Sequence, residues 1–269
     1  INATVPTALI FSGEGTPTLT VDTEQYDGST WTEVNNMNTA RQGPGGAGTN
    51  TAALGFGGIL NAPPTSSADT ESYNGTCWTT VNNLTTGRYG AKGAGTSTAA
   101  LCFAGTTGGP DRKKITETWD GTSWSEDNDL NTARTDPGGL GATNTAALCA
   151  GGNTSPGANF TQNSETWNGT SWTEGNSILV AEQNMGGSGT TTAGLMYGGS
   201  VPGAVATTES YDGTSWTEIA DMATARYGAG AAGVTTGSAI AACGSEPARS
   251  DSTEEYADPV YSVKTVTVS

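Results

Sequence analysis

Six carboxylates recur at one place in a pattern. Glu24, Glu71, Glu117, Glu165, Glu209 and Glu254 each follow Thr or Ser and stand two residues before an aromatic side chain. Carboxylates in pairs are the groups of general acid–base chemistry. Four arginines, Arg41, Arg88, Arg134 and Arg226, recur as regularly, and clustered guanidinium groups suit planar recognition of an oxyanion. A residue that returns once per repeat at one position is read as structural, because an enzyme needs an acid, base or nucleophile that is not repeated. None stands out. The chain of 269 residues has no histidine, so the commonest general base and the commonest metal ligand are both missing. Its Gly-rich stretches never present Gly-Lys-Ser/Thr, the signature of a phosphate-cradling loop. No catalytic residue, no cofactor and no metal site is therefore expected.

The positioning elements are legible because the sequence repeats. TEQYDGSTWTE at Thr23 returns as TESYNGTCWTT at Thr70, TETWDGTSWSE at Thr116, SETWNGTSWTE at Ser164 and TESYDGTSWTE at Thr208, with a degenerate TEEYADPVYSV at Thr253. Periods of this length mark propellers and related arrays. Every Trp belongs to the pattern, and in each copy one aromatic residue follows another by five positions, through Asp-Gly or Asn-Gly in the first five copies. That is hairpin chemistry, since Gly takes positive φ without steric cost. A polar connection such as NNMNTAR follows, then a Gly/Ala-rich strand, then an apolar strand such as TAALGFGG. Each repeat thus reads as four short antiparallel strands. The small residues suit an innermost strand crowded at an axis, while the aromatics fill the wedge between diverging units. Trp31, Trp78, Trp124, Trp172 and Trp216 are assigned to the fold and not to binding.

Over essentially its whole length the chain resembles the kelch-type β-propellers. The marks are a di-glycine closing the second strand (Gly57-Gly58, Gly151-Gly152, Gly198-Gly199), a Tyr then a Trp around the third-to-fourth turn (Tyr26/Trp31, Tyr73/Trp78, Tyr211/Trp216), and the recurring Arg. Departures occur at Ala104-Gly105 and Gly244-Ser245, and at Ala181-Glu182, where Arg is expected. The resemblance implies an all-β, six-bladed propeller with four antiparallel strands per blade, in one domain over residues 1–269. Blades are expected at about 1–37, 38–84, 85–130, 131–178, 179–222 and 223–269. The ring closes between the terminal segments, with either Ile1–Val5 or Val263–Ser269 supplying the inner strand of the first blade. Kelch-type copper oxidases use histidine ligands, so that activity is excluded. The adjacent Asp27-Gly28 and Asp212-Gly213 do not fit the sialidase turn, which places one residue between Asp and Gly.

Composition narrows the partners. A net charge of −16 argues against nucleic acid, which requires a basic footprint, and against anionic membrane surfaces. No apolar stretch approaches the roughly 20 residues of a membrane-spanning helix. The opening INATVPTALIFSG has no basic segment before its apolar run and no Met; it reads as a processed or truncated end of a longer polypeptide. Cys77, Cys102, Cys149 and Cys243 are expected as reduced thiols, because strands of separate blades lie too far apart for bridging. The sequons at Asn74 and Asn168 reflect a composition rich in Asn, Thr and Ser.

What varies is the second-to-third connection, and variable loops on a uniform scaffold are where recognition resides. Residues that break the repeat there are Ile59, Leu60, Arg112, Lys113, Lys114 and Phe160, the candidate partner-binding loops. The tandem style DGTSWTE, NTAR, TAALxxGG further resembles kelch-like repeat proteins of marine bacteriophage fibres and appendages. That resemblance implies a non-enzymatic virion surface protein, of tail fibre or capsid decoration, serving host-receptor recognition or particle assembly. Its partners would be other virion proteins or a host receptor, glycans included. The alternatives are a secreted or cell-surface lectin-like adhesin and, third, a hydrolase or lyase on a propeller scaffold.

Overall fold

In the computed structural model, residues 7–15, 18–61, 64–235, 237–246, 248–257 and 260–264 are described. They hold strands and turns with no helix. Six sheets of three or four strands succeed one another along the chain, with three two-stranded sheets beside them. Blade 1 comprises Ala8–Glu14, Leu19–Tyr26 and Trp31–Val34. Blade 2 comprises Gly45–Thr49, Ala52–Phe56, Thr70–Tyr73 and Trp78–Val81. Blade 3 follows with Lys92–Thr96, Ala99–Phe103, Thr116–Trp119 and Trp124–Asp127, and blade 4 with Gly138–Thr143, Ala146–Ala150, Ser164–Trp167 and Trp172–Glu174. In blade 5 the strands are Gly186–Thr190, Ala193–Val201, Gly203–Tyr211 and Trp216–Glu218. Blade 6 ends the series with Gly230–Thr235, Ser238–Ala242, Thr253–Ala257 and Val260–Lys264. All pairings are antiparallel between neighbours, and the inner strands of successive blades pack side by side. This is a six-bladed β-propeller.

Blade 1 shows three strands among the described residues. Of the two segments expected to complete it, 1–6 and 265–269 lie outside those residues. Val263 and Lys264 instead pair with Glu254 and Thr253 as the outer strand of blade 6.

The five-residue aromatic spacing resolves into a cross-strand pair. Tyr26 faces Trp31, Tyr73 faces Trp78, Trp119 faces Trp124, Trp167 faces Trp172 and Tyr211 faces Trp216, with ring centroids 4.8–5.5 Å apart. The connecting turn is built by its Asp or Asn. Oδ1 of Asp120 accepts the Thr122 and Ser123 amides at 2.8 Å, and Gly121 takes φ of 94°, the left-handed conformation that Gly adopts most cheaply.

Each outer Trp reaches back to the preceding blade. Trp124 stands edge-on to Phe56 with centroids 5.0 Å apart, and its indole N–H donates to Thr70 Oγ1 at 3.0 Å. Trp172 repeats this with Phe103 and Thr116, and Trp78 with Phe11 and Thr23. At the seam the indole of Trp31 donates to Thr253 Oγ1 of blade 6, Tyr26 bonds Glu255, and Arg249 pairs with Glu14. The core is thus a circle of inter-blade clusters. Toward the axis the blades converge closely: a Cβ on Gly187 would lie 2.5 Å from the Gly139 carbonyl oxygen of the preceding blade.

Trp124→Ala is expected to cost about 3–5 kcal/mol in denaturant unfolding, the usual loss for a large aromatic deleted from a core. Thr70→Val, which leaves that indole N–H buried and unpaired, should cost about 1–3 kcal/mol.

Candidate functional site

The recurring Glu and Arg meet in the interior. Glu71 and Arg41 are fully buried, and Arg41 Nη2 donates to Glu71 Oε1 at 2.5 Å. The same carboxylate accepts the amides of Asn38 and Thr39 and the Asn38 side-chain amide. Arg41 Nη1 meanwhile donates to the carbonyls of Gly57 and Asp69, at 3.2 and 2.7 Å. Those two residues bracket the second-to-third connection, so one side-chain pair pins the base of that loop and the incoming blade connection together. Arg134–Glu165 and Arg226–Glu254 repeat the arrangement at 2.6 and 2.7 Å, and Arg88 pairs with Glu117. A buried ion pair is tolerated best when its other hydrogen-bonding positions are filled; here the carboxylates accept backbone amides as well, while Nε of Arg88 and of Arg226 is left without a partner. These carboxylates are buried and committed to the fold. Glu24 of blade 1 has no ion pair among the described residues, and burial raises its pKa.

Blade 5 breaks the pattern. Glu182 takes the place of the arginine, is 2% exposed, and meets the Thr207 hydroxyl at 3.1 and 3.2 Å. Glu209 accepts the Leu179 and Val180 amides, as its counterparts do, but has no cation. Burial pushes Glu182 up to about 8 from the usual 4.5. Thr207 opposes that rise, while Glu209 and Asp221 add to it.

The loop face is more structured than loose connections would be. Ile59–Asn61 pairs with Pro64–Ser66, Asn153–Ser155 with Asn159–Phe160, and Ser245–Glu246 with Ala248–Arg249, as short accessory hairpins. In blade 5 the second and third strands simply run on to Val201 and Gly203. Ile59, Leu60 and Phe160, expected as loop residues, lie in these hairpins and are half-buried. The basic run does not form one patch. Lys113 pairs with Asp111 at 2.7 Å and Lys114 with Asp129 at 3.5 Å, while Arg112 donates to the Gly109 carbonyl at 2.8 Å. The repeat-breaking residues therefore share one face but sit on separate blades.

The repeat pattern alone did not reveal the ring around the axis on this face. Gly43, Gly90, Asp136, Asn184 and Gly228 hold equivalent places, all with φ between 54° and 64°. Each amide donates to the preceding member's carbonyl: Gly90 to Gly43, Asp136 to Gly90, Asn184 to Asp136 and Gly228 to Asn184, at 2.7–3.4 Å. Tyr89, Thr135, Gln183 and Tyr227 precede four of these residues, with Tyr227 among the exposed large side chains. Aligning the connections by their Arg would have exposed the Gly/Asn/Asp preference, since these residues accept left-handed backbone most readily.

The opposite face is uniform. Asn35, Asn82, Asn128 and Asn176 each donate to a carbonyl in the next blade's turn, at 2.7–2.8 Å. The four cysteines are free thiols, and burial raises Cys102 to about 11 and Cys149 to about 12. No group of acidic, Cys or His side chains able to hold a metal occurs among the described residues.

The fold is that of a six-bladed β-propeller. No protein-family model matches the chain, and no curated protein matches it in sequence. Among solved structures it is similar to YjhT, with TM-score 0.76 and 13% identity over 98% of this chain and 95% of that one. At that identity the likeness carries the fold and no activity.

Because folding keeps Glu182 protonated where the unfolded chain ionises it, its contribution to stability is present below about 4.5 and lost as pH rises through about 8. Thermal unfolding across that range should show a decline that Glu182→Gln removes. Glu182→Arg should pair with Glu209 and raise stability by about 1.5–3 kcal/mol, as hydrogen bonds to charged groups do.

Proposed function

We propose that this propeller is a non-enzymatic recognition module that docks a macromolecular partner on the face carrying the second-to-third connections. The observation that supports this most directly is the contrast between faces. Five blades carry five different connections on one side, three of them with an accessory hairpin and one with extended strands. On the other side the Asp-Gly and Asn-Gly turns are near copies of one another. A scaffold that varies only on one side concentrates its specificity there. Apolar Ile59, Leu60 and Phe160 would supply anchoring area, and Lys113 and Lys114 rim charge, while the acidic remainder discourages indiscriminate adhesion.

The setting we favour is the surface of a virus particle, as part of a fibre, appendage or capsid decoration, with a host receptor or another virion protein as partner. Support for it comes from the sequence style alone, together with the near-identity of the repeats. The lectin-like alternative predicts equivalent sugar pockets between blades. Two inter-blade grooves, one lined by Val34, Asn35, Tyr73 and Thr76 and the other by Thr192, Ser210, Tyr211 and Tyr256, differ in lining and so lend it no support.

Labelled protein should be applied to a glycan array and to intact host-cell surfaces. Ile59→Ser, Leu60→Ser and Phe160→Ser combined should weaken binding about tenfold or more, in line with loss of apolar anchors, with the melting temperature little changed. The turn variant Asp120→Ser should bind as the parent does. Undiminished binding by the loop-face variant, with loss in the turn variant, would reverse the assignment of faces.

A further inference from the structure

Five joints between blades are closed by an indole, and the sixth is not. Trp78, Trp124, Trp172 and Trp31 each donate a ring N–H to the third-strand threonine of the preceding blade, at 2.9–3.1 Å. Those threonines are Thr23, Thr70, Thr116 and Thr253. Trp216 donates to the Asn176 carbonyl, where blade 4 carries Ser164 in place of the threonine. Blade 6 has Tyr at position 261, where the other five have Trp, and a phenol has no ring N–H to give. Thr208 of blade 5 is the threonine of that sixth joint. It is fully buried, and its Oγ1 has no hydrogen-bond partner. Its four counterparts are as deeply buried, and all are satisfied. A buried polar group left unpaired is costly and calls for an explanation.

The surroundings of Thr208 keep the form that holds an indole elsewhere. Between blades 2 and 3, Trp124 shares a core cluster with Leu54, Phe56 and Trp119. The corresponding residues between blades 5 and 6 are Leu195, Tyr197 and Tyr256, and they cluster in the same way. Tyr197 stands opposite Thr208, and Leu195 opposite Ser210. Alternate residues of a strand share a face, so these four side chains point together. That face looks at blade 6, since the Tyr197 hydroxyl donates to the Ile240 carbonyl at 2.9 Å. Against it lies a groove of about 400 Å³ lined by Leu195, Ser210, Tyr211, Ile219 and Tyr256, within the size range of small-molecule sites. Ile219 ties the groove to Thr208 directly, donating its amide to the Thr208 carbonyl at 3.0 Å.

We propose that the joint between blades 5 and 6 binds a small planar heterocycle carrying a ring N–H, of which indole is the simplest. The ring packs against Leu195 and Tyr256, and its N–H donates to Thr208 Oγ1 as Trp124 donates to Thr70. Two selections follow. The apolar and aromatic lining favours a flat ring. The unpaired oxygen favours an N–H donor, because an analogue lacking it leaves the buried hydroxyl without a partner. The groove reaches Asp212 in the third-to-fourth turn, on the side away from the second-to-third connections. The site therefore holds whether or not the loop face has a partner.

Indole and 1-methylindole, which has the same ring without the N–H, are titrated separately into the parent protein and followed by amide NMR and thermal shift. Saturable movement of the Leu195, Thr208, Ser210 and Ile219 amides at roughly millimolar indole, with a rise in melting temperature, is the expected result. 1-Methylindole should bind at least about fivefold more weakly, the usual worth of one hydrogen bond. Thr208→Val removes an oxygen that bonds to nothing, so it should melt with the parent, in contrast to Thr70→Val, and should bind the two ligands alike. Tyr261→Trp supplies the residue that the other five joints use; it should raise the melting temperature and abolish indole binding. The comparison of the two ligands in the parent needs no variant and decides the matter if either substitution fails to fold. A linear, unsaturating response to indole or an equal affinity for both ligands in the parent overturns the proposal. So does a preference for indole that survives in Thr208→Val, or undiminished indole binding by Tyr261→Trp.

Discussion

A carboxylate buried in each of four blades, with its arginine, holds the loop face together. Glu71, Glu117, Glu165 and Glu254 lie where water cannot reach, and each would be costly there if it stood alone. The arginine, two backbone amides and, in two blades, an asparagine side chain replace that water. Through its second nitrogen Arg41, Arg134 or Arg226 clamps both ends of a loop whose middle the arginine does not touch. The chain between Gly57 and Asp69, or between Gly151 and Asn163, can therefore change in length and sequence without disturbing the sheets. One electrostatic device thus makes the blades alike inside and different on a single face.

The aromatic circle does the complementary work in the outer wedge. Blades diverge away from the axis, so the gap between them must be filled by large rings, and Trp supplies both area and an indole N–H that needs a partner. That partner is a threonine of the preceding blade, which links neighbours directionally and not only by contact. Where blade 4 carries Ser164 in place of Thr, its hydroxyl turns to the Asn176 carbonyl, and Trp216 bonds the same carbonyl instead. At the seam Trp31 and Thr253 obey the common rule, so the ring closes by the chemistry that joins any two blades.

Much of this was legible in the residues. The period, the Asp-Gly and Asn-Gly turns, the five-residue aromatic spacing and the small inner strands each follow from local geometry repeated along the chain. Local rules of turn, pleat and crowding act within a few residues and leave a readable pattern. The structural role of the repeated Glu and Arg was readable for the same reason, since once-per-blade residues serve the blade. The exception at Glu182 was visible as a departure, but its consequence was not, because it depends on burial in the folded ring beside Thr207 and Glu209.

Tertiary structure alone decided what lies together at the axis. Gly43, Gly90, Asp136, Asn184 and Gly228 come from the connections into five different blades, and no spacing rule brings each amide to the preceding member's carbonyl. They meet because inner strands converge and because Gly90 leaves the space that a side chain would fill. The same holds for the basic run: as sequence it is one cluster, whereas folding sends Lys113 to Asp111, Lys114 to Asp129 and Arg112 to the Gly109 carbonyl. Charges act through space and not along the chain. The sequence by itself therefore determined the blade and its repetition, while the closing of the ring determined which charges face one another.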